Sequence, residues 1–132
     1  MRPLALLPPL AWALLILGLC LLPGEELPEW DWADLLSLDK LVHAGLFAVL
    51  LVLGVRALRM HGSGLRLRSW PVALLTGACI AYGGALELMQ GHLLAGRTAD
   101  PFDALANAFG CVLGLVYLSR LDNRRTTLPS AG

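Results

Sequence analysis

Four long apolar segments constrain the fold of this chain more than any other feature of its sequence. They cover residues 4–22, 41–58, 70–89 and 102–118, and each is close to the roughly 20 residues that a helix needs to cross the hydrocarbon core of a bilayer. Inside lipid the backbone must satisfy its own hydrogen bonds, and a helix does so within a single segment. The sequence therefore predicts an all-α fold, a four-helix transmembrane bundle that forms one domain over residues 1–132.

The composition also indicates an integral membrane protein. Hydrophobic residues make up 57% of the chain and charged residues 15%, whereas soluble domains are usually about 45–50% apolar. Cys20, Cys79 and Cys111 fall inside apolar segments without a CxxC or Cys/His spacing, so we expect buried apolar side chains rather than disulfides or zinc ligands. No clear small-residue cleavage site follows the first segment, which favours a retained helix over a cleaved signal peptide.

The connections between the segments alternate in charge. The first, residues 23–39, contains acids and no base, whereas the second contains arginines and no acid. The positive-inside rule therefore predicts that both termini and the central connection are cytoplasmic. Topology and attraction to anionic lipids explain the basic residues, so no nucleic-acid partner is expected. These basic residues are Arg2, Arg56, Arg59, Arg66, Arg68, Arg120, Arg124 and Arg125.

The start of the fourth segment carries the most informative local pattern. Asp100 is suited to an N-cap and Pro101 to the first position of a helix, where the missing N–H costs nothing. Ser37 is predicted to be the N-cap of the second helix. Polar residues and glycines then share one stripe of the fourth helix, which we expect to face protein rather than lipid. The stripe consists of Asp103, Asn107, Gly110 and Gly114.

Nearly all the polar residues that are unusual for a membrane helix fall at the same predicted membrane face, the outer one. They lie at the start of the second helix, at the end of the third and at the start of the fourth. The residues of the pairs Asp39/His43 and Glu87/Gln90 are each one helical turn apart. The sequence therefore predicts an outward-facing polar pocket between these three helices. The candidate ligand-binding residues are Asp39, Lys40, His43, Glu87, Gln90, Arg97, Asp100, Asp103 and Asn107.

Three stretches carry an ordered combination of these residues, D-K-x-x-H, E-x-x-Q and R-x-x-D-x-x-D-x-x-x-N. They are DKLVHAGLFAVL at 39–50, GGALELMQ at 83–90 and GRTADPFDALANAFGCVLG at 96–114. The combination resembles the VanZ-like membrane proteins, a family named for an accessory protein of glycopeptide (teicoplanin) resistance. The resemblance implies a four-helix membrane fold in a bacterial inner or plasma membrane and a role in glycopeptide or envelope-stress tolerance. It implies no reaction.

The basic residues of the predicted pocket suit an anionic ligand. Lys40, His43 and Arg97 are able to hold a phosphate or carboxylate, with the arginine as a bidentate fork and the N-terminal amides of the fourth helix adding partial positive charge. The expected partner is a membrane lipid or a lipid-linked envelope precursor, and no cofactor is expected. The acids would repel a phosphate unless they are paired with these bases or protonated.

Other interpretations of the same residues remain open at this stage. An enzyme, a hydrolase or transferase of lipid-linked headgroups, would use His43, Glu87 and Asp103 as its catalytic acid and base. His43, Glu87, Asp100 and Asp103 are also able to bind a divalent metal, but there is no HExxH or paired-histidine spacing, so no metal site is predicted. A buried ion pair that fixes helix register is the structural alternative. Transport is disfavoured, because only Thr76 and Cys79 continue the polar line across the bundle.

Overall fold

The computed structural model describes residues 3–22, 32–62, 64–94 and 99–127. Within these ranges every regular element is helical, which confirms the predicted all-α class. A short 3-10 turn, Pro3–Leu6, leads into the first of the helices. The α-helices are α1 Leu7–Cys20, α2 Trp32–His61, α3 Trp70–Leu93 and α4 Pro101–Thr127.

Four helical segments are long and apolar enough to cross a membrane, as predicted. They are Pro3–Cys20, Leu38–His61, Trp70–Leu93 and Pro101–Thr127. Only 17–39% of the apolar window in each segment is buried inside the bundle. Large apolar side chains such as Leu14, Leu74 and Phe109 lie on the outside, where a water-soluble protein rarely exposes so large an apolar surface. This exterior is the kind that lipid covers.

The helices are longer than the predicted apolar segments. α2 begins at Trp32 instead of residue 41, and α4 continues to Thr127 instead of ending at 118. A helix hydrogen-bonds within itself whatever its side chains, so polar turns extend it beyond its apolar stretch. The prediction that Ser37 is the N-cap of the second helix is wrong, because Ser37 lies inside α2.

The closest packing in the bundle is between α2 and α4. A Cβ atom added at Gly110 would overlap the backbone carbonyl of Ala44, and one added at Gly114 would lie 2.9 Å from the carbonyl oxygen of Ala48. Glycine is needed at these positions because it lets two helix backbones approach each other. Asp103, Asn107, Gly110 and Gly114 are all buried, so the predicted stripe does face protein.

Side-chain hydrogen bonds to backbone carbonyls attach α1 to its neighbours. Trp12 Nε1 donates to Leu46 O at 2.9 Å, and the Tyr82 hydroxyl donates to Ala13 O at 2.6 Å. The core between the helices is apolar. Its fully buried side chains include Ile16, Phe47, Leu51, Val55 and Cys111.

The arginines gather where α2 and α4 end and α3 begins, and we call this the basic end of the bundle. Arg59 makes a two-pronged contact with Asp122 there, with Nη1 at 3.1 Å from Oδ1 and Nη2 at 2.6 Å from Oδ2. Such bidentate pairs are the strongest geometry between a guanidinium and a carboxylate. Arg56, Arg66 and Arg68 at the same end are exposed.

Candidate functional site

A group of polar side chains lies at the other end of the bundle, between α2, α3 and α4. We call this group the polar site. Most of the candidate ligand-binding residues meet in it, although they are far apart along the chain. It consists of Asp39, Lys40, His43, Glu87, Asp100, Asp103 and Asn107.

Two of the predicted ligand-binding residues are not among these seven. Gln90 is buried, but its Nε2 donates to Cys20 O at 2.9 Å and so faces the end of α1. Arg97 lies outside the described residues, so the prediction for it is untested.

The start of α4 places two acids of the polar site. Asp100 precedes Pro101 and caps the helix, since its Oδ1 accepts a hydrogen bond from the Phe102 amide at 2.9 Å and its carbonyl accepts one from the Asp103 amide at 3.1 Å. The predicted cap is therefore confirmed. The cap fixes the direction in which α4 enters the bundle, and Asp103 follows one turn later on the buried side.

Lys40 bridges the two acids at the start of α4. Its Nζ lies 3.3 Å from Asp100 Oδ2 and 3.1 Å from Asp103 Oδ1. It also lies 5.9 Å from the ring centroid of Phe102, within the range of a cation–π contact. Phe102 was missed in the sequence, where an exposed phenylalanine at a predicted membrane surface gives no distinguishing signal.

His43 lies at the centre of the polar site. Its Nδ1 is 2.9 Å from Asn107 Oδ1, and its Nε2 is 3.6 Å from Asp39 Oδ1 on the preceding turn of α2. With the Asn107 amide oxygen on this side, the contact requires the proton of neutral His43 on Nδ1, because an amide oxygen only accepts hydrogen bonds. Nε2 then presents its lone pair towards Asp39.

Glu87 brings α3 into the polar site. Its Oε1 is 3.9 Å from His43 Nδ1, and its Oε2 is 3.5 Å from the Asp100 amide nitrogen. Only 4% of Glu87 is exposed. Its Oε1 has no hydrogen-bonding partner among the described residues, and neither has Nδ2 of Asn107. Buried polar atoms without a partner are rare in folded proteins, so both atoms are candidates for contact with a ligand, an ion or water.

The polar site has an exposed rim and a buried interior. The side chains of Asp39, Lys40 and Asp100 are 53%, 32% and 30% exposed and form its rim. His43, Glu87, Asp103 and Asn107 are buried beneath them. A ligand that enters from the rim would therefore meet Asp39, Lys40 and Asp100 first and His43 behind them.

Close packing closes the polar site on the side that faces the middle of the bundle. We call the residues that pack there its floor: Ala44, Phe47, Gly83 and Gly110. Phe47 is fully buried and its Cε1 lies 3.2 Å from where a Gly83 Cβ would be. Asn107 Nδ2 lies 2.9 Å from the same position. Further along, Thr76 donates to Val72 O on its own helix. The described residues therefore provide no continuous polar path from the site to the basic end.

The chain matches no protein-family model, curated protein or solved structure in the comparisons made. A function must therefore be argued from the chemistry of the polar site itself.

Proposed function

We propose that this chain is a VanZ-like integral membrane protein that recognises the headgroup of a lipid or of a lipid-linked envelope precursor at its polar site. One observation carries the proposal: seven polar residues from three helices meet at one end of an otherwise apolar bundle, above a closed floor. Ionisable groups within a membrane span are costly and tend to mark a functional site. The family resemblance adds that such recognition influences glycopeptide or envelope-stress tolerance.

The charges of the rim suit a headgroup that carries both a phosphate and hydrogen-bond donors. Lys40 offers an ammonium group for a phosphate oxygen. Among the described residues the site has four carboxylates and only one lysine. Carboxylates accept hydrogen bonds from sugar hydroxyls or amines, so a glycosylated or amine-bearing headgroup fits better than a bare phosphate. Arg97 is expected to add a second cation.

The proposed orientation places the basic end in the cytoplasm and the polar site at the outer face of a bacterial inner or plasma membrane. It rests on the separation of arginines and acids between the two ends of the bundle. A cysteine placed by Gly62→Cys should react with a membrane-impermeant maleimide only after the cytoplasmic side is opened, whereas Ala99→Cys should react in intact cells. The native cysteines are buried and should give a low background. Labelling of Gly62→Cys from outside would reverse the orientation.

Headgroup recognition is testable by native mass spectrometry of protein extracted from membranes. Wild type should retain one lipid or lipid-linked sugar, and Lys40→Gln and Arg97→Gln should each lower its occupancy about tenfold, because a hydrogen bond to a charged group contributes about 1.5–3 kcal/mol. Arg59→Gln is the matched control. It removes a cation at the basic end, and its lipid occupancy should equal that of wild type.

The same experiment separates recognition from its alternatives. Equal lipid retention in all four proteins would contradict headgroup recognition at this site and favour a structural role for its ion pairs. The arrangement of His43 between Asp39 and Glu87 is also one that an enzyme uses for acid–base chemistry. If this is an enzyme, Glu87→Gln should accumulate an intact ligand that wild type converts.

A further inference from the structure

Three potential metal ligands meet in the polar site, although their spacing in the sequence gives little sign of it. Asp39, His43 and Asp103 each offer one ligand atom, and these atoms all lie within 4.8 Å of one another. Asp39 and His43 are one turn apart on α2, and α4 brings Asp103 to them. Two carboxylate oxygens and an imidazole nitrogen are ligands that Zn²⁺ and related divalent metals accept.

The hydrogen bond to Asn107 prepares His43 for this role. It holds the proton on Nδ1 and directs the Nε2 lone pair towards Asp39, whose Oδ1 is 3.6 Å away. The Nε2 lone pair and Asp39 Oδ1 are then two electron-rich atoms that face each other. A metal-binding histidine usually has its other ring nitrogen held in this way by a second hydrogen-bonding residue.

Glu87 places a buried carboxyl group beside His43, on the Nδ1 side of the ring and opposite Asp39. It is almost fully buried and directed at the same histidine, 3.9 Å from Nδ1, and its Oε1 has no hydrogen bond within the described ranges. A buried carboxylate is costly unless a positive charge lies close by. Lys40 does not supply that charge, because its ammonium group contacts Asp100 and Asp103 instead.

We propose that the polar site binds one divalent metal ion, of the class of Zn²⁺, through Asp39, His43 Nε2 and Asp103. Lys40 occupies Oδ1 of Asp103, which leaves Oδ2 for the metal. Glu87 neutralises part of the added charge from the third helix. A ligand from solution completes the usual four-coordinate geometry. If the proposed function is right, that ligand is a headgroup oxygen, and the metal explains how an acid-rich site accepts a phosphate.

Zn²⁺ itself is the probe. Detergent-purified wild type, stripped with a chelator, should bind one Zn²⁺ per chain in isothermal titration calorimetry. Asp39→Asn and Asp103→Asn keep the side-chain shape but lose the charge, and each should weaken binding about tenfold or more. Asp122→Asn makes the same substitution at the basic end and should bind as wild type does. Zinc-edge X-ray absorption should show one imidazole among oxygen ligands.

Two results would overturn the proposal. One is equal Zn²⁺ affinity in wild type and the two polar-site variants, provided that their circular dichroism shows the same helix content. The other is a sulfur ligand in the absorption spectrum, which would place the metal at the buried cysteines. Zn²⁺ binding without lipid retention would refute the proposed function alone, whereas lipid retention by a wild-type chain that binds no Zn²⁺ would refute the metal alone.

Discussion

Gly110→Ala is expected to lower the free energy of unfolding by about 2 kcal/mol or more, in the upper part of the range for overpacked sites. The added Cβ would overlap the carbonyl of Ala44, which belongs to the helix backbone and is unable to rotate away. α2 and α4 must therefore separate. Because this contact lies in the floor of the polar site, ligand binding should weaken with it. Unfolding by SDS titration in mixed micelles, followed by circular dichroism, measures the change.

Gly45→Ala is the matched control on the facing helix. Nothing lies within 4 Å of a Cβ at Gly45, so alanine should gain about 0.5–1 kcal/mol from its better helix propensity. The same substitution should thus have opposite signs at the two positions. If both variants gain stability, the backbones of α2 and α4 are not in the close contact described above.

Phe47→Ala should cost about 3 kcal/mol, near the lower limit for large-to-small substitutions of buried aromatic residues. Phe47 is fully buried, and its ring centroid lies 6.1 Å from that of Tyr82. In lipid the transfer of apolar surface contributes little, so most of the cost comes from the lost packing contacts. The cavity would open directly beneath the polar site. The same SDS titration measures the loss.

Phe109→Ala tests whether burial is the cause. It removes the same side chain from α4, but Phe109 is 58% exposed on the outside of the bundle, where lipid tails replace the lost contacts. Its unfolding free energy should stay close to that of wild type. A loss as large as that of Phe47→Ala would mean that the outer face of α4 packs against protein, for example a second copy of the chain.

Local chemistry made some features predictable. Asp100 and Pro101 set the start of α4 because capping depends on neighbours along the chain, and the structure places both as expected. The positions of Asp103 and Asn107 on one stripe follow from helical periodicity alone, and both are buried. The one-turn spacing of Asp39 and His43 likewise brings their side chains together.

The positions of the helices relative to one another along the bundle axis were not predictable. Periodicity tells which side of α3 Gln90 occupies, but not that it lies level with the end of α1 and bonds to Cys20. Helical periodicity also does not predict that Lys40 pairs with Asp100 and Asp103 instead of Glu87. The sequence predicts one pocket for Asp39, His43 and Asp103, but not that their ligand atoms lie within 4.8 Å of one another, because Asp103 belongs to another helix, 60 positions after His43.

The floor beneath the polar site has an electrical consequence for a chain that crosses a bilayer. Moving one elementary charge through the whole membrane potential changes its energy by about 2.3 kcal/mol per 100 mV. An occupant stopped by Phe47 and the Gly110–Ala44 contact would enter no deeper than about the third turn of α4 and so cross less than half of that field. Its affinity should therefore change by less than about 1.2 kcal/mol per charge for each 100 mV, and no charge that enters the site would complete the passage across the membrane.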